Sequence, residues 1–155
     1  MLLELKVAKA LIKARKTIAI AESCSGGLLS HRLTNIPGSS KFLQLSLVNY
    51  SNESKTKLLH VPLATIKIFG AVSTQVALIM AKNVRKILNT DYGVALTGIA
   101  GPTGGSKRKP VGLTYIAISS KSESLCLQYM FQGDRLSVKK QATTHALKML
   151  YEFLS

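Results

Sequence analysis

The sequence predicts an α/β fold, a three-layer α/β/α domain around a mixed β-sheet. Helix-like and strand-like segments alternate in the first part of the chain, which is typical of parallel strands joined by helices. Two strand-like runs, 111–119 and 124–132, then follow each other around Lys121 and Ser122, as in an antiparallel hairpin. The length of 155 residues suits one hydrophobic core, so we expect residues 1–155 to form a single domain.

The individual elements are predicted from the spacing of apolar residues and from residues that favour helix starts and turns. The predicted helices are 2–16, 26–35, 52–59, a short helix after Pro62, 74–89 and 134–154. The predicted strands are 17–22, 42–50, 92–98, 111–119 and 124–132. In helix 74–89, which Ser73 is suited to cap, the predicted apolar stripe is Val76, Met80, Val84 and Ile87.

Several classes of protein are disfavoured by the composition. No apolar run approaches the length of a membrane span, and the basic residues 1–16 are better explained as a docked helix with a solvated face than as a targeting segment. Two cysteines, Cys24 and Cys126, make neither a disulfide framework nor a zinc site, and they fit a reducing, cytoplasmic location. Because the histidines and acidic residues are scattered, we expect no metal and no cofactor.

The net charge of +14, from 21 basic and 7 acidic residues, raises the alternative of nucleic-acid binding. The basic residues are spread along the chain, however, and their densest group is only Lys107-Arg108-Lys109. The sequence contains no nucleic-acid motif and few aromatic residues. We therefore expect nucleic-acid binding to be secondary at most, while the charge attracts phosphate-bearing substrates within about 10 Å.

The segment Glu22-Ser23-Cys24-Ser25-Gly26-Gly27 joins a predicted strand to a predicted helix. A serine at such a junction projects from the end of a sheet, next to free backbone N–H groups that stabilise an anion or an oxyanion. The structural alternative, which the pattern alone leaves open, is that Ser23 or Ser25 simply caps the following helix.

Three further segments rich in small, hydroxyl and basic residues follow strand-like runs. They are Tyr50-Ser51-Asn52-Glu53-Ser54-Lys55, Leu96-Thr97-Gly98-Ile99-Ala100-Gly101-Pro102 and Phe131-Gln132-Gly133-Asp134-Arg135. Ligands of open α/β sheets bind at strand ends, so we expect these segments to form one site.

Seven motifs, in order along the chain, resemble the family of nicotinamide mononucleotide deamidases, also known as the C-terminal domain of CinA. They are ESCSGG, LTNIPGSS, VNYSNESK, GAVS, TGIAGPTGG, KPVG and FQGDR. The resemblance implies hydrolysis of the carboxamide of nicotinamide mononucleotide to nicotinic acid mononucleotide and ammonia. It also implies that Ser23 is the nucleophile, that Tyr50 and Lys55 complete the catalytic group, and that the protein is a homodimer.

For this substrate, the same motifs offer groups that bind phosphate, ribose or carboxamide. The expected substrate-binding residues are Ser25, Gly26, Gly27, Ser39, Ser40, Thr97, Gly98 and Arg135. Each has a structural alternative: Ser39 and Ser40 also suit a plain turn, and Asp134 also suits a helix cap with Arg135 exposed beside it.

Amide hydrolysis by a serine needs a base, and none of the motifs contains a histidine. Lys55 can act as that base only when it is neutral, a state that burial and neighbouring positive charge favour. Tyr50 is expected to relay the proton or to hold Lys55. The alternatives are an exposed helix lysine for Lys55 and a core aromatic for Tyr50, and Cys24 is a second candidate nucleophile beside Ser23.

Two departures from the family pattern bear on specificity. The ESCSGG segment has Ser25 where the family commonly has threonine, and the loop 101–109 is more basic than usual. The other functions that we considered are an amidase for another nucleotide-like amide and a non-catalytic protein of the same fold that binds nucleic acid or a partner.

Overall fold

The computed structural model describes residues 1–155, which form six α-helices and five β-strands. The helices are α1 (Leu3–Ala14), α2 (Leu28–Thr34), α3 (Asn52–Leu59), α4 (Leu63–Phe69), α5 (Thr74–Ile87) and α6 (Arg135–Leu154). The strands are β1 (Ile18–Glu22), β2 (Leu43–Val48), β3 (Tyr92–Gly98), β4 (Leu113–Ser119) and β5 (Ser124–Met130). None of the helices has the length and apolar character that a membrane crossing requires.

The five strands form one mixed sheet in the order β2-β1-β3-β4-β5. Strand β1 runs parallel to both β2 and β3, whereas β3, β4 and β5 pair antiparallel. The mixed α/β sheet predicted from the sequence is therefore confirmed. Because parallel strands end at the same edge, the residues that follow β1, β2 and β3 lie side by side.

The two faces of the sheet are covered by different helices and carry side chains of different size. On one face, large residues such as Ile18 and Ile116 pack against α1, α2 and α6. On the other, Ala21, Ala95 and similar small residues pack against α3, α4 and α5. The small side chains let α5 approach the sheet closely. At Gly93 there is no room for a side chain, because an added Cβ atom would lie only 2.0 Å from a backbone oxygen of α5.

Helices α1 and α2 are shorter than predicted because the backbone turns left-handed at the end of α1 and at the start of α2. Helix α1 ends at Ala14, since Arg15 has a φ of 54°. Helix α2 begins at Leu28, since Gly26 and Gly27 have φ values of 60° and 101° and form a turn instead of the first helical residues.

The other boundaries agree with the predicted ones to within two residues. Helix α3 and strand β3 have the predicted bounds, and the Ser73 hydroxyl accepts a hydrogen bond from the Val76 N–H, as a cap should. Strand β2 ends at Val48, two residues earlier than predicted. Ile87 is 47% exposed, so the prediction that it belongs to the buried stripe of α5 is wrong.

Candidate active site

A cavity of about 170 Å³ opens at the edge of the sheet where β1 and β3 end. Its lining comes from the β1–α2 turn, the β2–α3 connection, the segment before α5, the end of β3 and the start of α6. The lining residues are Ser23, Cys24, Tyr50, Asn52, Lys55, Ala71, Val72, Thr97, Gly98, Ala100 and Arg135. Five segments that are distant in sequence therefore meet at one place.

Ser23 and Lys55 are in contact at the bottom of this cavity, with Ser23 Oγ 3.0 Å from Lys55 Nζ. Ser23 directly follows β1, and its N–H extends the ladder by donating to the Leu96 oxygen. Lys55 lies in the first turn of α3, where Ser51 caps the helix. The cap fixes the start of α3, and with it the position of the lysine beside the strand ends.

Lys55 is an almost completely buried lysine, with 1% of its surface exposed. Its Nζ also lies 3.0 Å from the backbone carbonyl oxygen of Asn49 and 3.4 Å from that of Tyr50. Lys55 forms no salt bridge. Burial lowers the pKa of Lys55 below its usual value, because a charged amine is poorly stabilised away from water.

These three neighbours suit a neutral amine, which has two N–H bonds and one lone pair. The carbonyl oxygens of Asn49 and Tyr50 can accept the two N–H groups. In the neutral state, the lone pair of Lys55 Nζ can accept a hydrogen bond from the Ser23 hydroxyl across the same 3.0 Å contact, in which a protonated Lys55 would instead be the donor. This is the arrangement that a base needs in order to take the proton of a serine.

Glu22 holds the turn that presents Ser23. Its carboxylate is fully buried and accepts five hydrogen bonds from the start of α2. The donors are the Ser25 hydroxyl at 2.5 Å, the Gly27 and Leu29 N–H groups at 3.1 Å, the Ser30 N–H at 2.8 Å and the Ser30 hydroxyl at 2.7 Å. A carboxylate in this position also complements the positive end of the helix dipole.

Cys24 differs from Ser23 in its surroundings. Its side chain belongs to the core between the sheet and α1, α2 and α6, whereas it is the Ser23 hydroxyl that contacts Lys55 Nζ. Burial raises the pKa of the Cys24 thiol to about 12, and the nearby Glu22 charge adds to this effect. The thiol is therefore protonated at neutral pH, when it is a weak nucleophile.

Tyr50 contributes its backbone, not its phenol, to the surroundings of Lys55. Its side chain is 58% exposed, and the hydroxyl accepts a hydrogen bond of 2.8 Å from Arg135. The same guanidinium donates to the Gly101 oxygen at 2.7 Å. The expected proton relay through the Tyr50 hydroxyl is therefore not supported by this geometry, and Tyr50 and Arg135 together form the rim of the cavity.

Thr97 and Gly98 lie in the wall of the cavity, as expected from their position at the end of β3. The Thr97 hydroxyl donates to the Ala71 oxygen at 2.9 Å and so fixes the segment before α5. Gly98 is needed for packing, since a Cβ there would lie 2.7 Å from the Thr114 hydroxyl. Both residues shape the site.

The hydrogen bonding of the turn does not favour the expected role of Ser25, Gly26 and Gly27 in holding phosphate. Ser25 is fully buried with its hydroxyl on Glu22, and the Gly27 N–H also donates to Glu22. The Gly26 N–H closes the turn by donating to the Ser23 oxygen. The protein's own carboxylate thus occupies the helix start that we expected to bind the substrate anion.

Ser39 and Ser40, which we expected to bind substrate, do not line the cavity of their own chain. They form a short 3-10 helix just before β2, which ends at the cavity edge. Since β1 and β2 are parallel, the start of β2 lies at the opposite edge of the sheet from Ser23. A strand of this length separates the two edges by roughly 15–20 Å.

Three residues with a clear place in the site were missed by the sequence analysis. They are Glu22, described above, Asn49, which is fully buried with no hydrogen-bond partner for its side-chain amide, and Lys139, whose Nζ lies over the Gly26 turn. A signal existed for Lys139, because it follows Arg135 by four residues on a helix and therefore shares its face. No group of three or more potential metal ligands occurs in the structure.

Together, the mixed sheet and the serine–lysine contact at its edge define an α/β domain with a candidate hydrolase site. The sequence profile of the CinA C-terminal domain matches residues 2–154. This chain belongs to that family.

Curated relatives and solved structures agree with this assignment. The chain is 49% identical over 154 residues to a CinA-like protein of Syntrophus aciditrophicus (strain SB), covering 99% of this chain and 37% of the relative. It is 45% identical over 140 residues to a CinA-like protein of Endomicrobium trichonymphae, covering 90% of this chain and 33% of the relative. The chain therefore spans about a third of the length of these relatives.

Among solved structures, a competence/damage inducible protein from Agrobacterium tumefaciens, CihA, is similar over almost the whole chain. The TM-score is 0.96 at 35% identity, with 99% of this chain and 94% of that chain covered. The competence damage-inducible protein A of Klebsiella pneumoniae gives a TM-score of 0.95 at 31% identity, with coverages of 98% and 94%.

Proposed function

We propose that this protein is a cytoplasmic amidohydrolase that converts nicotinamide mononucleotide to nicotinic acid mononucleotide and ammonia. The observation that carries the proposal is the buried contact of 3.0 Å between Ser23 Oγ and Lys55 Nζ. A buried lysine whose pKa is lowered and whose amine pairs with no carboxylate is suited to act as a base near neutral pH.

In the first half of the proposed reaction, neutral Lys55 takes the proton of Ser23 while Oγ attacks the carboxamide carbon. The carbonyl oxygen becomes an oxyanion. The N–H groups of Cys24 and Ser25 directly follow Ser23, and they donate to no backbone oxygen, although both lie near the Cys24 sulfur. They are therefore the candidates for stabilising that oxyanion.

The tetrahedral intermediate then breaks its C–N bond. Protonated Lys55 gives its proton to the departing nitrogen, which leaves as ammonia, and an ester of Ser23 remains. Water attacks the ester carbon as Lys55 again accepts a proton. The ester C–O bond breaks, Lys55 returns the proton to Ser23 Oγ, and the carboxylic acid group of the product gives its remaining proton to water and leaves as the carboxylate.

The size of the cavity fits recognition of only one end of the substrate. Its volume of about 170 Å³ is below the roughly 300–1,000 Å³ that is usual for pockets enclosing whole ligands. In our proposal the carboxamide and its ring enter the cavity, and the ribose phosphate extends over the rim. The positive charge of the pyridinium ring makes the carboxamide carbon more electrophilic, which favours attack by Ser23.

The proposal is tested by incubating the purified protein with nicotinamide mononucleotide and measuring ammonia and nicotinic acid mononucleotide in parallel. We expect the two products in equal amounts, and much slower release of ammonia from free nicotinamide, which lacks the ribose phosphate. Equal rates with both compounds would indicate an amidase with another substrate, and no ammonia from either would contradict the proposal.

A further inference from the structure

Four cationic side chains lie in or beside the cavity, and they differ in how they are engaged. Lys55 is inside, in contact with Ser23. Arg135 lies at the rim, Lys109 reaches the Val72 oxygen next to the cavity wall, and Lys139 lies over the turn that follows Ser23. A substrate with a phosphate group would find its counter-charge among these four.

Two of the outer cations are occupied by the protein's own oxygens. Arg135 donates through Nη1 to the Gly101 oxygen and through Nη2 to the Tyr50 hydroxyl. Lys109 donates to the oxygens of Phe69 and Val72, and so ties the basic loop to the end of α4. These contacts give both side chains a structural role at the rim.

Lys139, by contrast, has no hydrogen bond and no salt bridge, although its side chain is only partly exposed. A Cβ atom added at Gly26 would lie 3.6 Å from Lys139 Nζ, so the ammonium group lies next to the backbone of that glycine. The nearest acidic residue in the turn, Glu22, is buried below and saturated by five donors.

The position of Lys139 also suits the length of the proposed substrate. The Gly26 N–H donates to the Ser23 oxygen, so these two residues span one tight turn, with their Cα atoms less than about 7 Å apart. Lys139 is therefore near enough to Ser23 to meet the far end of a substrate whose amide is in the cavity, and it lies outside the cavity itself.

We propose that Lys139 is the residue that binds the phosphate monoester of the substrate, and that Arg135 is a positioning residue for the rim. The identity of the amide rests on the proposed function, whereas recognition of a ribose phosphate by Lys139 does not. The assignment makes Lys139 a determinant of specificity for phosphorylated over unphosphorylated ribosides.

The experiment compares Lys139→Met, Lys139→Arg and the matched control Lys140→Met, whose side chain is exposed on the same helix. For Lys139→Met, we expect KM for nicotinamide mononucleotide to rise at least about tenfold more than KM for nicotinamide riboside, as the loss of a contact to a charged group predicts. Lys139→Arg should restore most of the preference, and Lys140→Met should resemble the wild type.

A binding measurement separates this assignment from the proposed function. Titration with ribose 5-phosphate, which has no amide, should give a dissociation constant at least about tenfold weaker for Lys139→Met than for Lys140→Met. This result is expected even if the protein releases no ammonia from nicotinamide mononucleotide.

Two outcomes would overturn the assignment. If Lys139→Met lowers stability to unfolding but leaves ribose 5-phosphate binding and the KM ratio unchanged, Lys139 only balances the charge of Glu22. If Arg135→Met removes the preference for the phosphorylated substrate while Lys139→Met keeps it, the phosphate is bound by Arg135 instead.

Discussion

Ser23 Oγ and Lys55 Nζ lie 3.0 Å apart, although the two residues are separated by 32 positions in the sequence. Two local structures produce this contact: the Glu22-held turn after β1 and the Ser51-capped start of α3. Because the parallel strands β1 and β2 end at the same edge, these two structures are neighbours.

The pH dependence of activity should follow the state of Lys55. Burial lowers its pKa, and only the neutral amine accepts the proton of Ser23. We expect kcat/KM to rise with pH through a pKa below the usual value of lysine. Lys55→Arg should lose at least about 10²-fold in kcat, because arginine does not deprotonate near neutral pH.

The matched control for that measurement is Lys57→Ala, since Lys57 is exposed and pairs only with Glu53. It should keep near wild-type activity and the same pH profile. If Lys55→Arg remains active, Lys55 serves only as a positive charge and is not the base.

Burial of Lys55 should also appear in the stability of the protein. Between its lowered pKa and about 10.4, the unfolded chain binds more protons at this residue than the folded chain, so stability rises with pH in this window. We expect the free energy of unfolding of the wild type to increase relative to Lys55→Met between pH 7 and pH 10, measured by urea unfolding. A constant difference would show that the pKa of Lys55 is not lowered by folding.

Much of this arrangement was predictable because it depends on local patterns. Strand β3 and helix α3 have their predicted bounds, and Ser73 caps α5, since a buried apolar run and a capping serine are visible in the sequence itself. The meeting of Ser23, Lys55 and Arg135 at one cavity follows from the rule that parallel strands end at one edge.

The rest depends on contacts that the sequence pattern does not contain. The sequence shows Ser25 and Gly27 at a helix start but does not show that the Glu22 carboxylate turns back to occupy it. Likewise, the sequence pattern does not show that Ser39, which precedes β2, lies at the opposite edge of the sheet from Ser23. The hydroxyl of Tyr50 reaches Arg135 through a tertiary contact across 85 positions.

Tyr50→Phe should be mild, because the Tyr50 hydroxyl contacts Arg135 at the rim and not the reacting pair. We expect kcat to stay within about tenfold of the wild type, with a change mainly in KM, since one hydrogen bond contributes about 1 kcal/mol. Steady-state kinetics with nicotinamide mononucleotide provide the check. A loss of kcat as large as that of Lys55→Arg would indicate that the Tyr50 hydroxyl takes part in the proton transfer.

Glu22→Gln should destabilise the fold by at least about 2 kcal/mol, because the amide group places an N–H donor among five donors that now share a carboxylate. Urea unfolding gives the value. The control Glu123→Gln, which changes an exposed acid without a salt bridge, should stay within about 0.5 kcal/mol of the wild type. Equal stability of both variants would mean that Glu22 does not hold the turn.

The central claim, that Ser23 is the nucleophile of an amidohydrolase, is tested most directly by ammonia release from nicotinamide mononucleotide by Ser23→Ala and Cys24→Ala. Both substitutions are small, and circular dichroism can establish that both variants are folded. We predict that Ser23→Ala loses at least about 10³-fold in kcat while Cys24→Ala stays within about tenfold of the wild type. An active Ser23→Ala beside an inactive Cys24→Ala would contradict the account and assign the reaction to the thiol.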